Sequence, residues 1–106
     1  MQLDITGHQI DLTDSLQSFV RDKFKKLERH SNQLTHVHVI LGVEHSAHQA
    51  EATAHMPGAE LFANAEAEDM YSAIDQMINK LDRQVLKHKE ITVARDHGGS
   101  SHPPES

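Results

Sequence analysis

The chain has 106 residues, of which 37% are hydrophobic and 25% are charged. This length and composition predict a single soluble domain with one modest core, and they argue against a disordered chain. No apolar run is long enough to span a bilayer, and the N-terminus lacks the basic and apolar regions of a signal peptide. Since there is no cysteine, a disulfide framework and a zinc–thiolate site are excluded, and a cytoplasmic location is expected.

The first predicted elements are a strand and a helix. Leu3 and Ile5 alternate with polar residues, which is typical of a strand with one buried face. Thr13 is a favourable N-cap residue, and Asp14 suits the first turn of a helix. The helix should extend to about His30, because apolar residues recur at helical spacing. These residues are Leu16, Phe19, Val20, Phe24 and Leu27.

Three further strands are predicted from apolar or small residues at every second position. These residues are Val37, Val39, Leu41 and Val43 in one strand, Ala50, Ala52, Ala54 and Met56 in the next, and Leu61, Ala63 and Ala65 in the last. A hairpin centred near Ser46 and Ala47 and a turn at Pro57 and Gly58 would connect them as an antiparallel meander. The alanines leave space for a helix to pack closely on the sheet.

A second helix is predicted after Asp69, which can serve as its N-cap. Its apolar stripe consists of Met70, Ile74, Met77, Ile78, Leu81 and Val85. From about Thr92 the chain has no apolar periodicity. We therefore expect a domain over residues 1–91 and a flexible C-terminal tail over residues 92–106.

The element order predicts an α+β fold with the arrangement β-α-β-β-β-α. Both helices need an apolar surface to cover, so we expect them side by side on one face of a four-stranded sheet. A right-handed crossover through the first helix would make the first two strands parallel. The other face of the sheet should be polar and in contact with water.

The formal net charge of −6 conceals an uneven distribution. Residues 14–31 contain five basic and three acidic side chains, and residues 75–89 contain four and two. The rest of the chain contains one base and eleven acids. This separation predicts one face that binds polyanions, although the molecule as a whole is acidic.

The basic residues of the second helix form a narrow line. At ~100° per residue, Lys80, Arg83 and Lys87 fall within an arc of roughly 60° opposite the apolar stripe. A merely solvated face usually has acids at i±3 and i±4, and like charges at these spacings cost about 0.2–0.5 kcal/mol per pair. An anionic partner therefore explains the line better than solvation does.

The first helix is less decisive. Arg21, Lys25 and Arg29 form an i,i+4 ladder, but Asp22 and Glu28 are placed to neutralise Lys25 and its neighbour Lys26. Two neighbouring helices would nevertheless make one broad basic surface. Lysine and arginine at this density bind phosphates, and the scarcity of aromatic residues disfavours stacking on single strands. A rigid two-helix surface favours structured RNA.

Several segments resemble a known family. DMYSAID at residues 69–75 and KLDRQVLKHK at residues 80–89 closely resemble the last helix of the short ribosome hibernation-promoting factors and of their relative, ribosome-associated inhibitor A. MQLDITG at residues 1–7 and KFKKLE at residues 23–28 agree as well. The resemblance covers residues 1 to about 90.

The resemblance implies a domain that binds the small (30S) ribosomal subunit between its head and body. It would contact 16S rRNA where mRNA and tRNA sit, and would inhibit translation reversibly in stationary phase, as a stress response without chemistry. The contacts carried over by motif are Lys23, Lys26, Lys80, Arg83, Lys87 and Lys89. Lys25 and Arg29 are added from the charge pattern. We expect no cofactor, no small-molecule substrate and no membrane partner, and we expect the free protein to be monomeric.

The tail differs from the family pattern. It lacks the acidic run of ribosome-associated inhibitor A and is too short for the dimerisation domain of long-form factors. Whether the protein promotes inactive ribosome dimers or only blocks single ribosomes is therefore left open.

Three other functions compete with this interpretation. An enzyme is disfavoured, because no phosphate-binding glycine loop or nucleophile motif is present. A double-stranded-RNA-binding regulator is an alternative, since three strands followed by a helix occur in that fold. A histidine-rich metal-binding module is the least favoured. It would place His36 and His38 on the outer sheet face with His55 opposite His38.

Overall fold

The structure, a computed structural model, describes residues 1–30 and 33–96, with side chains described for residues 1–29 and 33–88. It contains four strands and two helices in the order β-α-β-β-β-α, which confirms the predicted order. The elements are β1 (Gln2–His8), α1 (Asp14–His30), β2 (His36–Glu44), β3 (Ala47–Met56), β4 (Ala59–Ala67) and α2 (Met70–Asp96).

Both helices begin at the predicted caps. The Thr13 hydroxyl accepts a hydrogen bond from the main-chain N–H of Leu16 at 3.1 Å. At the start of α2, Asp69 Oδ1 accepts one from the main-chain N–H of Ser72, and Asp69 Oδ2 accepts one from the Ser72 hydroxyl, both at 2.8 Å. The hydrogen bond from the Ser72 main chain, followed by that from its hydroxyl, holds the pKa of Asp69 below its ordinary value.

Helix α2 continues to Asp96. The helix thus runs five residues past residue 91, where the sequence placed the end of the domain. Loss of apolar periodicity ends the buried stripe, but it does not end the helix, and the first glycine in this region is Gly98. The remainder of the predicted tail, residues 97–106, lies outside the described residues. In the described part of the chain, neither helix is long and apolar enough to cross a membrane.

The four strands form one sheet in the order β1-β2-β3-β4. As predicted, β1 and β2 are parallel, and β2, β3 and β4 form an antiparallel meander. The β2–β3 turn is centred on His45 and Ser46, whose φ angles of 50° and 67° are those of a tight two-residue hairpin turn. Gly58 takes the left-handed position of the β3–β4 turn, with a φ of 78°.

Both helices pack on one face of the sheet, as predicted, and share one core. Helix α2 contacts β3 and β4, and α1 lies beside α2. The strand residues beneath α2 include Ala50, Ala52 and Ala54, all at most 1% exposed, so the helix packs closely. The largest fully buried side chains come from both helices and from β2. They are Val20, Phe24, Val37, Val39, Leu41, Ile74, Met77, Leu81 and Val85.

Candidate nucleic-acid interface

The outer surface of α1 carries four exposed basic side chains, which we call the α1 ridge. They are Arg21, Lys25, Lys26 and Arg29. Among the side chains of residues 1–29 and 33–88, no carboxylate lies within 4.0 Å of any of them. Glu28, which the sequence placed as a counterion of Lys25, instead pairs with the N-terminal ammonium group of Met1 at 3.6 Å. The α1 ridge is therefore less neutralised than its sequence indicated.

The outer surface of α2 carries the α2 ridge, formed by Lys80, Arg83 and Lys87, all exposed. Lys80 donates a hydrogen bond through Nζ to the main-chain carbonyl of Asn64 at 2.8 Å, at the edge of β4. One turn further, the Gln84 amide donates to the main-chain carbonyl of Phe62 at 2.6 Å. These contacts attach the ridge to the sheet. A lysine ammonium has three donors, so Lys80 keeps two for an anion.

Arg83 and Lys87 have no ion pair within the described part of the chain. They therefore remain like charges at i,i+4 on α2, and no carboxylate from another described element pairs with either of them. The last predicted contact residue, Lys89, belongs to α2, and its side chain lies outside the described residues.

A groove separates the two ridges. The two helices that form its sides lie next to each other and run in the same direction. At the N-terminal end of the groove, the Phe19 and Tyr71 rings meet edge to face with their centroids 4.9 Å apart. Four residues further along each helix, Lys23 Nζ pairs with Asp75 Oδ1 at 2.9 Å and also lies 5.1 Å from the centre of the Phe19 ring. Among the predicted contact residues with described side chains, Lys23 is thus the one with a carboxylate partner.

The groove makes the predicted single basic surface into two ridges. Its lining includes Lys26, Asn79, Asp75 and Asp82. Lys23 also lines the groove, so it contains two bases and two acids, whereas the ridges carry cations without carboxylate partners, and an RNA backbone is therefore expected to follow the ridges. Sequence patterns missed the role of Asp75, because an acid five residues from its nearest base on the same helix, Lys80, gives no sign of a partner on another helix.

The histidines on the outer face of β2 and β3 pair in a register that differs from the predicted one. His55 pairs across the sheet with His36, and His38 pairs with Thr53. The predicted opposition of His38 and His55 is wrong because the hairpin is centred one residue earlier than expected. His36 and His55 instead contact carboxylates, Asp4 at 2.9 Å and Glu60 at 3.3 Å. Within the described residues, no three His, Asp or Glu side chains are arranged to hold a metal ion.

Comparison with known proteins agrees with this architecture. A family model described as "Sigma 54 modulation protein / S30EA ribosomal protein" matches residues 3–92. The chain belongs to this family. Membership confirms the resemblance predicted from the helix and N-terminal segments, and it agrees with the prediction of a non-catalytic protein.

Two curated relatives of the S30EA family are similar over most of the chain. A "Ribosome hibernation promoting factor" of Azotobacter vinelandii is 52% identical over 98 residues, which cover 92% of this chain and 92% of the relative. A protein of the same name from Escherichia coli K12 is 48% identical over 90 residues, which cover 85% and 95%.

Solved structures of the S30EA type show the same fold. A ribosomal subunit interface protein from Coxiella burnetii superposes with a TM-score of 0.81 at 26% identity, covering 84% of this chain and 98% of that one. The N-terminal domain of Protein Y from Thermus thermophilus superposes with a TM-score of 0.77 at 26% identity, covering 83% and 99%.

Proposed function

We propose that this protein is a ribosome hibernation factor that binds 16S rRNA of the small subunit in the mRNA/tRNA channel and reversibly inhibits translation. The α1 and α2 ridges make the contact, with Lys23 added when it exchanges Asp75 for phosphate. The family and its relatives named as ribosome hibernation promoting factors support the ribosome as the target.

One observation carries the choice of surface. Six exposed cations project from two parallel helices, and none has a carboxylate within 4.0 Å among the described residues. They are Arg21, Lys25, Lys26, Arg29, Arg83 and Lys87. In a molecule with a net charge of −6, carboxylates are plentiful, so the lack of an ion pair at each of these cations favours an external polyanion.

The shape of the surface favours folded RNA over a single strand. Lys80 and Lys87 are seven residues apart, or about 10 Å along the helix axis. Both ridges stand on helices that share a core, so their cations keep fixed relative positions. Binding to a rigid surface of this kind depends on the shape of the phosphate backbone more than on base identity.

The experiment that tests this proposal is ribosome co-sedimentation over a salt series. The variant Arg83→Glu/Lys87→Glu should lose small-subunit binding while keeping the circular-dichroism spectrum and melting temperature of the wild type. Each lost phosphate contact should reduce the slope of log affinity against log salt by about one unit. Unchanged binding by the folded variant would refute the α2 ridge as an RNA contact.

A matched control separates a local contact from a change in overall charge. Arg83→Ala/Lys87→Ala and Gln2→Glu/Thr53→Glu both change the net charge by two negative units, but the second pair lies on the opposite sheet face. Only the first should weaken ribosome binding. Equal weakening by both pairs would show that net charge alone decides affinity.

Two further measurements test the finer parts of the proposal. Chemical probing of 16S rRNA with and without the protein should show protection in the mRNA/tRNA channel, and added initiator tRNA and mRNA should compete for binding. Sucrose gradients of ribosomes with the protein distinguish paired inactive ribosomes from blocked single ones. If an isolated RNA duplex binds as tightly as the small subunit does, the alternative of a double-stranded-RNA-binding regulator is favoured.

A further inference from the structure

The outer face of the sheet is acidic, and this charge belongs to the strands themselves. Residues 31–79 and β1 contain no lysine or arginine. The strands carry five carboxylates, each at a position that alternates with the buried residues and so faces away from the helices. They are Asp4, Glu44, Glu51, Glu60 and Glu66. The two sides of the domain therefore have opposite charge.

Phe62 is an exposed aromatic ring in this acidic face. Its side chain is 49% exposed. It lies opposite Thr53, with Glu60 two residues before it on β4 and Glu51 at a diagonal position on β3. Diagonal neighbours in an antiparallel pair lie ~7–8 Å apart, which is within reach of one long side chain. An aromatic face flanked by carboxylates suits the guanidinium group of arginine, which combines cation–π and ionic contacts.

The carboxylates of this face lack strong cationic partners inside the molecule. Glu66 accepts a hydrogen bond from the Gln49 amide at 3.2 Å, and Glu60 contacts His55. In the described residues, no lysine or arginine lies within 4.0 Å of any of the five. Lys80, the base closest to this side, donates to the Asn64 carbonyl. A cationic ligand would therefore meet uncompensated negative charge.

The surface is shallow and open across the middle of the sheet. The lining of a concavity there includes Ile40, Gln49, Glu51 and Glu66, and Lys80, held by the Asn64 carbonyl, borders it at the β4 edge. Half-buried Ile40 offers an apolar floor on which the methylene groups of a lysine or arginine can pack. Side chains of α2 already occupy the Phe62 and Asn64 carbonyls at the β4 edge, so a partner would lie across the face and not extend the sheet.

We propose that this outer sheet face docks a lysine- and arginine-rich protein segment, with Phe62 as the central contact and Glu51, Glu60 and Glu66 as its ionic partners. The carboxylates repel phosphates, so RNA is not the expected ligand. The site goes beyond the proposed function, because it lies on the side of the domain opposite the ridges. A protein bound to rRNA through its helices would keep this face available to a basic protein extension.

The test is fluorescence anisotropy of a labelled oligoarginine peptide with the full chain, together with NMR mapping of amide shifts. The peptide should shift resonances of β3 and β4 around Phe62 and leave the ridges unchanged. Glu51→Gln/Glu66→Gln and Phe62→Leu should each weaken binding on the order of three- to tenfold, the second because the leucine has no aromatic face. Melting curves of the same variants verify that they are folded.

The control removes equal charge elsewhere. Asp14→Asn/Asp22→Asn also deletes two exposed carboxylates, but from helix α1 on the other side of the domain. It should leave peptide binding within about twofold of the wild type. Equal weakening by both pairs, unchanged affinity of Phe62→Leu, or sheet-face shifts caused by a single-stranded RNA oligomer would each overturn the proposal. Since no ribosome is present, failure here is distinct from failure of the ribosome-binding proposal.

Discussion

The two ridges differ in how the fold treats their charges. The sequence placed acids beside the basic residues of α1 and none beside those of α2, so α2 was the more persuasive of the two. In the structure, the α1 ridge is exposed without carboxylate partners, whereas the α2 ridge is attached to β4 through Lys80. An ion pair between Lys23 and Asp75 joins the two helices. Proximity along a helix is thus a poor guide to which charges pair.

The largest expected effect tests whether one core holds both ridges. Leu81 is fully buried beneath α2, so Leu81→Ala should reduce the free energy of unfolding by about 2–5 kcal/mol. Urea denaturation measures it. Leu86→Ala, at an exposed position of the same helix, should change it by less than about 0.5 kcal/mol. If circular dichroism and NMR signals of core methyl groups gave separate transitions for Leu81→Ala, the helices would not behave as one unit.

The next effect compares the ridges directly. Lys25→Ala/Arg29→Ala and Arg83→Ala/Lys87→Ala each remove two exposed cations. If both ridges contact rRNA, each pair should reduce the salt slope of ribosome binding by about two units. Co-sedimentation measures the slope. A loss confined to the α2 pair would show that the α1 ridge faces solvent in the complex.

A smaller effect concerns the start of α1. Thr13→Ala removes the hydroxyl that accepts the Leu16 N–H and should cost about 1 kcal/mol of stability. Thermal unfolding checks the value. Ser18→Ala, at an exposed position in the body of α1, serves as the control and should be neutral or slightly stabilising. Equal destabilisation by both would deny a role for the cap.

The ion pair between the helices gives a smaller change still. Asp75→Asn releases Lys23, so ribosome binding should tighten and the salt slope should increase by up to about one unit. The loss of stability should stay below about 1 kcal/mol, because both side chains are partly exposed. Asp22→Asn raises the net charge equally without releasing a paired lysine. If both variants bound the ribosome more tightly to the same extent, the release of Lys23 would be ruled out as the cause.

The smallest expected effect is on the pH dependence of stability. It should differ between the N-caps of α1 and α2. The pKa of Asp69 is lowered in the folded state by its hydrogen bonds from Ser72. Its contribution to stability is therefore complete above the ordinary aspartate range and is lost as the pH falls through the folded-state value. Acid unfolding of Asp69→Ser should lack this component, while the Thr13 cap should not depend on pH. Identical acid-unfolding curves for the wild type and Asp69→Ser would contradict this contribution of Asp69 to stability.

Much of the fold was predictable because its signals are local. Cap residues at Thr13 and Asp69, period-2 strands and two amphipathic helices are all properties of short segments, and each was confirmed. The errors arose where a signal was weak. The β2–β3 turn contains no glycine, so its centre was placed one residue late and His55 received the wrong partner. Apolar periodicity likewise marks the end of the buried stripe of α2 and not the end of the helix, which continues to Asp96.

The candidate site was predictable in its residues but not in its arrangement. Lys80, Arg83 and Lys87 stand out in sequence because like charges recur at helical spacing. The groove with Asp75 and Asp82 depends on which sides of α1 and α2 meet, and this is set by packing on the sheet. The exposure of Phe62 among carboxylates likewise depends on strand register, which joins residues far apart in the chain.

The sequence by itself determined the element order, the common face for both helices, and the positions where cations accumulate, because each follows from periodicity and composition within a segment. Only the tertiary structure decided which of those cations are paired, that they form two ridges around a groove in which bases and acids balance, and that the opposite face is negative around an aromatic ring. Pairing energies depend on distances through space, and the chain brings together side chains from separate elements that no local pattern relates.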